Sequence, residues 1–164
     1  MNHNNLTSEA AYILLDDFAV CNIKFDDGWT GIHSANDNKG LYYYLYSGSP
    51  KVGIAFESTL INLTKGVLTP TKQYLNKSII IEAAASDSCD ILIFNTRDVS
   101  QDWSGSLVTS TFTCDNSNSY LICIDGTPTV NSKTLQKFDY SKLTSGKEYS
   151  VALNGGVLGL FTKS

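Results

Sequence analysis

Histidine is scarce in this sequence, and its scarcity excludes several kinds of catalytic site. Of 164 residues only His3 and His33 are histidines, so a Ser-His-Asp or Cys-His arrangement would have to use His33. No G-x-S-x-G sequence is present to hold a nucleophilic serine. No C-x-x-C pair is present for zinc, and the Gly-Lys at 146–147 lacks the upstream glycine of a phosphate-binding loop. We therefore expect no catalytic residues, no metal and no cofactor.

Charge is also low, which argues against two classes of partner. Charged residues make up 17% of the chain, the net charge is −4 and the pI is near 5.0. Nucleic acids and anionic membranes both require a basic surface, and no run of positive residues exists here. No apolar run approaches the ~18 residues of a membrane helix, and the first residues lack the basic region of a signal peptide. We expect a location in the virion if the protein is viral, and in the cytoplasm otherwise.

The polar residues that are present favour strands and turns. Serine, threonine and asparagine number 19, 15 and 13, and such residues compete with the backbone for hydrogen bonds in helices. Aromatic and β-branched runs occur at 42–46 (YYYLY) and 119–124 (SYLICI), and each ends at a Gly-x-Pro turn. The Asn/Asp-rich segment at 34–40 is typical of a turn, although its oxygens could also bind calcium. A helical spacing of apolar residues predicts one short helix at 8–17.

Several short segments occur twice in the same order. LTPTKQY at 68–74 is repeated as LTSGKEY at 143–149, and YSGSP at 46–50 matches IDGTP at 124–128. Both tryptophans, Trp29 and Trp103, are followed by a hydroxyl residue and glycine. Ordered repetition of this kind indicates duplication of a structural unit. We predict an all-β chain with an N-terminal segment and helix at 1–18, followed by two related antiparallel β-sandwich halves of jelly-roll type at 19–94 and 95–164.

The second half, YLICIDGTPTVNSKTLQKFDYSKLTSGKEYSVALNGGVLGLF, resembles the closing strands of cupin and related jelly-roll proteins. The resemblance implies a cupin-like β-barrel. Cupin metal sites use histidines that this half does not contain, and Tyr149 stands where a ligand histidine is expected. The resemblance therefore implies the fold without the metal chemistry.

Aromatic residues are the candidates for binding. An aromatic ring can stack against a sugar, and the tryptophans and repeated tyrosines are therefore candidate ligand-binding residues (Trp29, Trp103, Tyr74 and Tyr149). For the tryptophans we favour burial in the core, because a duplicated tryptophan on a strand is more often a core anchor. Consecutive strand residues point to opposite faces, so some rings of the tyrosine run must face outward or into a partner. The candidate interface residues are Tyr12, Leu15, Phe18, Tyr42, Tyr44 and Tyr46.

Three functional interpretations follow from these features. The first, which the low charge and missing catalytic residues favour, is a non-enzymatic assembly protein of the type found in bacteriophage virions, decorating a capsid or associated with a tail. Its partners would be other protein subunits, in a homo-oligomer or in the virion. The second is a β-sandwich module that binds a carbohydrate or another small ligand. The third is a metal-free cupin-type isomerase that uses Tyr149 or Asp139 as acid or base.

Overall fold

The computed structural model describes residues 6–15, 17–25, 30–34, 36–83 and 87–164. The chain divides into two compact units, Met1–Ser100 and Gln101–Ser164, called here the N-terminal and C-terminal units. The described residues contain no helix that is long and apolar enough to cross a membrane.

The N-terminal unit consists of two antiparallel sheets. One has the strand order β1-β2-β9-β4-β7 and the other the order β3-β8-β5-β6. The strands are β1 (Leu6–Leu14), β2 (Phe18–Phe25), β3 (Thr30–Ser34), β4 (Gly40–Ser47), β5 (Lys51–Ile54), β6 (Leu60–Asn62), β7 (Leu68–Pro70), β8 (Ile79–Glu82) and β9 (Cys89–Thr96), with one 3₁₀ turn at Lys72–Tyr74.

The C-terminal unit repeats this arrangement with shorter strands. One sheet has the order β10-β18-β12-β15, and two small sheets have the orders β11-β16 and β14-β13-β17. The strands are β10 (Trp103–Leu107), β11 (Phe112–Thr113), β12 (Ser119–Asp125), β13 (Thr129–Val130), β14 (Lys133–Thr134), β15 (Tyr140–Lys142), β16 (Glu148–Tyr149), β17 (Val151–Ala152) and β18 (Val157–Lys163).

The strand orders of the two units match throughout. The order β2-β9-β4-β7 corresponds to β10-β18-β12-β15. In the second sheet, β3 corresponds to β11, β8 to β16 and β17 together, β5 to β13, and β6 to β14. The only strand without a counterpart among the described residues is β1, at the edge of its sheet. The predicted fold class, an all-β chain of two related jelly-roll-like halves, is confirmed. The predicted boundaries at 18 and 94 stay predictions.

The Gly-x-Pro turns are equivalent in the two units. Gly48 follows β4 with φ +90° and Gly126 follows β12 with φ +71°, a backbone region that glycine adopts without steric cost. The next proline carbonyl accepts a backbone hydrogen bond in both units, Pro50 from Leu63 at 3.0 Å and Pro128 from Leu135 at 2.8 Å. This sequence match therefore marks one turn of the shared fold.

The other repeated segments occupy different places. Gly31 of the first Trp-x-Gly lies in β3, whereas Gly105 of the second lies in β10, which is the counterpart of β2. Leu68 begins β7 and pairs with Tyr44, whereas Leu143 comes directly after β15 ends. These two matches in sequence are therefore not matches in strand position.

The prediction of an N-terminal helix is wrong. Residues Leu6–Leu14 form β1, which pairs antiparallel with β2 from Leu6 opposite Phe25 to Leu14 opposite Ala19. A turn follows, in which the Leu15 N–H donates to the Phe18 carbonyl at 2.8 Å. Hydrogen bonding along the exposed edge of β2 outweighs the weak helical preference of the sequence.

The four cysteines are free thiols. Cys89, Cys114 and Cys123 are buried, and Cys21 is partly buried. Burial, with a contribution from the neighbouring Asp87, raises the pKa of the Cys89 thiol to about 12. Burial likewise raises the pKa of Cys123 to about 11. At neutral pH these side chains are protonated and act as small apolar residues of the core.

Each unit has its own apolar interior. In the N-terminal unit Tyr43 is 1% exposed and packs among isoleucine, leucine and valine side chains. Burial, with a contribution from Tyr74, raises the pKa of the Tyr43 hydroxyl well above its ordinary value. That hydroxyl has no hydrogen-bond partner among the described residues. In the C-terminal unit the buried cluster includes Leu121, Cys123 and Leu158. Trp103 is also 1% exposed, with its ring centroid 6.2 Å from that of Tyr120.

Removal of the Trp103 side chain should be strongly destabilising. We expect Trp103→Ala to reduce the free energy of unfolding by about 3–5 kcal/mol, because it leaves a large cavity in the core. Phe56→Ala is the matched control, since Phe56 is 92% exposed and its removal should change little. Urea unfolding followed by circular dichroism measures both. Equal effects of the two substitutions would contradict the assignment of Trp103 to the core.

The Tyr43 hydroxyl should contribute nothing to stability. An unsatisfied buried hydroxyl costs about 1–3 kcal/mol, so Tyr43→Phe should leave the free energy of unfolding unchanged or raise it. Tyr149→Phe is the control, because the Tyr149 hydroxyl accepts a hydrogen bond from the Thr144 N–H at 2.9 Å. The control should lose about 0.5–1.5 kcal/mol. A loss of more than about 1 kcal/mol in Tyr43→Phe, measured by urea unfolding, would show that the hydroxyl has a partner.

Candidate functional site

A pocket of about 520 Å³ opens within the C-terminal unit. Its walls come from β12 to β16 and from the loops that join them. The lining residues are Leu121, Val130, Asn131, Lys133, Leu135, Phe138, Asp139, Tyr140, Ser141, Leu143, Lys147 and Tyr149. The volume lies in the range of about 300–1,000 Å³ that is typical of sites for small molecules.

The floor of the pocket is apolar and continuous with the core of the unit. Leu121, Val130 and Leu143 are 2%, 8% and 3% exposed and belong to one hydrophobic cluster. They lie on or next to β12, β13 and β15, so three elements of the barrel hold the floor in place. A floor of this kind removes an apolar group of a ligand from water.

The rim of the pocket is polar. Lys133, Asp139 and Lys147 are exposed there. The Asp139 carboxylate accepts a hydrogen bond from the Gln136 N–H at 2.8 Å. In the part of the chain that the structure describes, neither lysine of the rim is paired with a carboxylate.

Tyr149 connects the floor and the rim. Its ring stacks on Phe112 with centroids 5.5 Å apart, and the Lys147 Nζ lies 5.4 Å from the centre of the ring. Its hydroxyl accepts the 2.9 Å hydrogen bond from the Thr144 N–H. No acceptor for its own proton is found among the described residues, so the hydroxyl can still donate.

The N-terminal unit carries an aromatic residue at the strand position that matches Leu121. Leu121 in β12 pairs with Ser141 and Leu160, and Tyr43 in β4 pairs with Thr69 and Ile93 on the corresponding strands. Tyr43 is thus the counterpart of Leu121, with a larger side chain that is fully buried. At this matched position the N-terminal unit carries a tyrosine, and the C-terminal unit carries a smaller leucine that lines the pocket.

Of the four candidate ligand-binding residues, one reaches the pocket. Tyr149 lines it, whereas Trp103 and Tyr74 do not line it and are 1% and 8% exposed. Trp29 lies outside the described residues. No pattern in the sequence marked Leu121 or Lys133 as a site residue, and Lys147 stood out only as a member of the repeated LTSGKEY and of the Gly-Lys at 146–147. For Leu121 the available signal was the match of YYYLY with SYLICI, which aligns a tyrosine with a leucine at the interior position.

The candidate interface residues are mostly buried within the chain. Phe18, Tyr42 and Tyr44 are 0%, 8% and 4% exposed, and Leu15 and Tyr46 are partly buried. The ring centroids of Tyr44 and Tyr46 are 5.2 Å apart, in an edge-on arrangement. The side chain of Tyr12 lies outside the described residues. A role for these residues in subunit contacts stays a prediction.

The described part of the chain brings no three potential metal ligands (His, Cys, Asp or Glu) together. His33 lies partly buried in β3 of the N-terminal unit, whereas the pocket is in the C-terminal unit. The pocket itself offers one carboxylate, that of Asp139. The arrangement is therefore suited to binding by hydrogen bonds and apolar contact, and the expectation that no metal is used stays a prediction.

No protein-family model matches the chain, and no curated protein matches it in sequence. Solved structures do resemble it. HutD from Pseudomonas fluorescens SBW25 is 10% identical with a TM-score of 0.66, over 90% of this chain and 78% of that one. Ylba from E. coli is 9% identical with a TM-score of 0.61, over 100% and 86% of the two chains. A cupin 2 conserved barrel domain protein from Leptotrichia buccalis is 9% identical with a TM-score of 0.55, over 100% and 91%.

These similarities correct the first functional interpretation. The structures that the chain resembles are cupin-like barrels, so the prediction of a bacteriophage virion protein is wrong, and the interpretation as a module for small ligands fits better. At 8–10% identity the likeness concerns the fold alone. Together with the matching strand orders, it establishes a cupin-like jelly-roll fold.

Proposed function

We propose that this protein is a cupin-like binding module whose C-terminal unit takes up a small organic molecule. The observation that carries the proposal is the pocket of about 520 Å³, with a buried apolar floor and a polar rim. Concave sites of this composition, with a few converging polar groups, are the usual sites for small ligands in proteins. The proposal is binding without catalysis, as the scarcity of histidine led us to expect.

The comparison of the two units supports this assignment. Tyr43 occupies the interior of the N-terminal unit at the position where Leu121 borders the pocket. The two copies of the duplicated fold thus differ at this interior position, with a tyrosine in one and a smaller leucine beside the pocket in the other.

A carbohydrate is less well supported as the ligand than a molecule with an apolar body. A sugar needs an accessible aromatic face, and the Tyr149 ring is already stacked on Phe112 with Lys147 near it. Trp103 is too deeply buried to present its ring. The apolar floor formed by Leu121 and Val130 suits a hydrocarbon or aromatic group better.

The neutral fluorescent probe N-phenyl-1-naphthylamine tests whether the pocket binds an apolar body. We expect saturable binding at one site per chain, seen as an increase in probe fluorescence. Leu121→Tyr should weaken binding at least about tenfold, because it introduces the side chain that fills the matched position of the other unit. Leu68→Tyr, at a half-exposed position of β7, is the control and should bind as the unmodified protein does.

A second variant tests the same pocket at an exposed position, so that the result does not depend on the folding of Leu121→Tyr. Leu121 is 2% exposed, so its enlargement could disturb the core. Ser141 is exposed, lines the pocket and pairs with Leu121 across the sheet. Ser141→Trp should therefore block the pocket from its outer side with an unchanged thermal melt. No saturable binding by the unmodified protein, or equal binding by the folded Ser141→Trp and Leu68→Tyr variants, would overturn the proposal.

A further inference from the structure

We propose that the ligand of this pocket is an organic anion, held at the rim by Lys133 and Lys147 while its apolar body lies against Leu121 and Val130. This inference rests on the proposed function, since it assigns a charge to the molecule that enters the pocket. Its starting point is an exception to the overall charge of the chain: the protein carries a net charge of −4, yet two lysines and only one carboxylate line the pocket.

The two positive charges at the rim exceed the one negative charge that the protein places there. Neither Lys133 nor Lys147 is paired with a carboxylate in the described part of the chain. The one acid at the rim, Asp139, already accepts a hydrogen bond from the Gln136 backbone N–H. A ligand with one negative group would complete the charge balance of the pocket, whereas a cation would face two ammonium groups.

Both lysines are held at the rim by local structure. Lys147 lies with its Nζ 5.4 Å from the centre of the Tyr149 ring, an arrangement that favours a cation over the aromatic face. Lys133 pairs with Val130 across a two-residue turn, in which Asn131 and Ser132 have φ of +49° and +66°. Two consecutive residues of positive φ are typical of a tight hairpin turn, so the backbone of Lys133 is fixed relative to the pocket floor.

The neutral polar groups of the pocket also offer donors. The Tyr149 hydroxyl accepts from the Thr144 N–H, which leaves its own proton for a ligand. The Asn131 Oδ1 accepts from the Ser150 N–H at 2.9 Å, which leaves the Asn131 NH₂ as a donor. Two ammonium groups, a phenol and an amide thus converge on one space, and hydrogen bonds from donors of this kind are strongest when the acceptor is charged.

A matched pair of probes isolates the contribution of charge. 1-Anilinonaphthalene-8-sulfonate has the same ring system as N-phenyl-1-naphthylamine and adds one sulfonate. We expect the anionic probe to bind more tightly than the neutral one at low salt. Its affinity should fall as salt is raised from about 0.05 to 0.5 M, because exposed charges are screened over a shorter distance. The affinity of the neutral probe should not fall.

Substitution of the two lysines tests whether the tighter binding of the anionic probe arises at the rim. Lys133→Gln and Lys147→Gln should each lower the affinity for the anionic probe about 2- to 5-fold, as expected for the loss of one solvent-exposed charge interaction. The double variant should lower it about 5- to 20-fold. Binding of the neutral probe should change less than about twofold. Lys147→Arg should retain the affinity for the anionic probe. Lys65→Gln, at an exposed position in the N-terminal unit, is the control and should change neither probe.

The outcomes separate this inference from the function on which it rests. If the neutral probe binds and is lost in Ser141→Trp, but the double lysine variant keeps its full affinity for the anionic probe, the pocket binds ligands and the assignment of an anion is wrong. If neither probe binds the unmodified protein, both proposals are overturned. If the double variant loses binding of the anionic probe but keeps binding of the neutral probe, both proposals are supported.

Discussion

The pairing register of the central strands β4 and β12 determines which side chains point into the interior of each unit. Each of these strands lies between two neighbours, with β9 and β7 flanking β4 and β18 and β15 flanking β12. Alternate residues of a strand face opposite sides of the sheet, so a shift by one residue would exchange the interior side chains for the exterior ones. With the register fixed on both sides, the same interior position is held by Tyr43 in one unit and by Leu121, which lines the pocket, in the other.

The architecture was predictable because it depends on patterns that the sequence carries locally. The Gly-x-Pro turns have a direct steric cause, since a side chain at Gly126 would meet the Gly156 backbone at 2.6 Å and φ there is positive. Strand runs such as YYYLY and SYLICI are likewise local. The N-terminal segment was mispredicted because its spacing of apolar residues fits a helix, and its actual state depends on pairing with β2, which spacing alone does not reveal.

Most residues of the candidate site could not be predicted from the sequence. Tyr149 was singled out because it is repeated and aromatic, and it does line the pocket. Lys133 and Lys147 resemble any exposed lysine until the fold brings them to the same rim. Leu121 gains significance only by comparison with Tyr43 in the other unit. An absence of catalytic motifs also led towards the wrong class of protein, because a ligand-binding barrel lacks them just as an assembly protein does.

The added strand β1 has a consequence for how the protein behaves at high concentration. It pairs along the whole of β2, whose sequence FAVCNIKF has a single charge, on Lys24. Without β1 this long apolar strand would present a row of free backbone donors and acceptors at the edge of the sheet, which is a template for pairing with other chains. The segment that the sequence suggested as a contact between subunits thus covers β2 and itself becomes the edge of the sheet. Its register with β2 is irregular between Leu6 and Ser8 and between Ala11 and Ile13, and irregularities of this kind make an edge strand a poorer template for pairing with other chains.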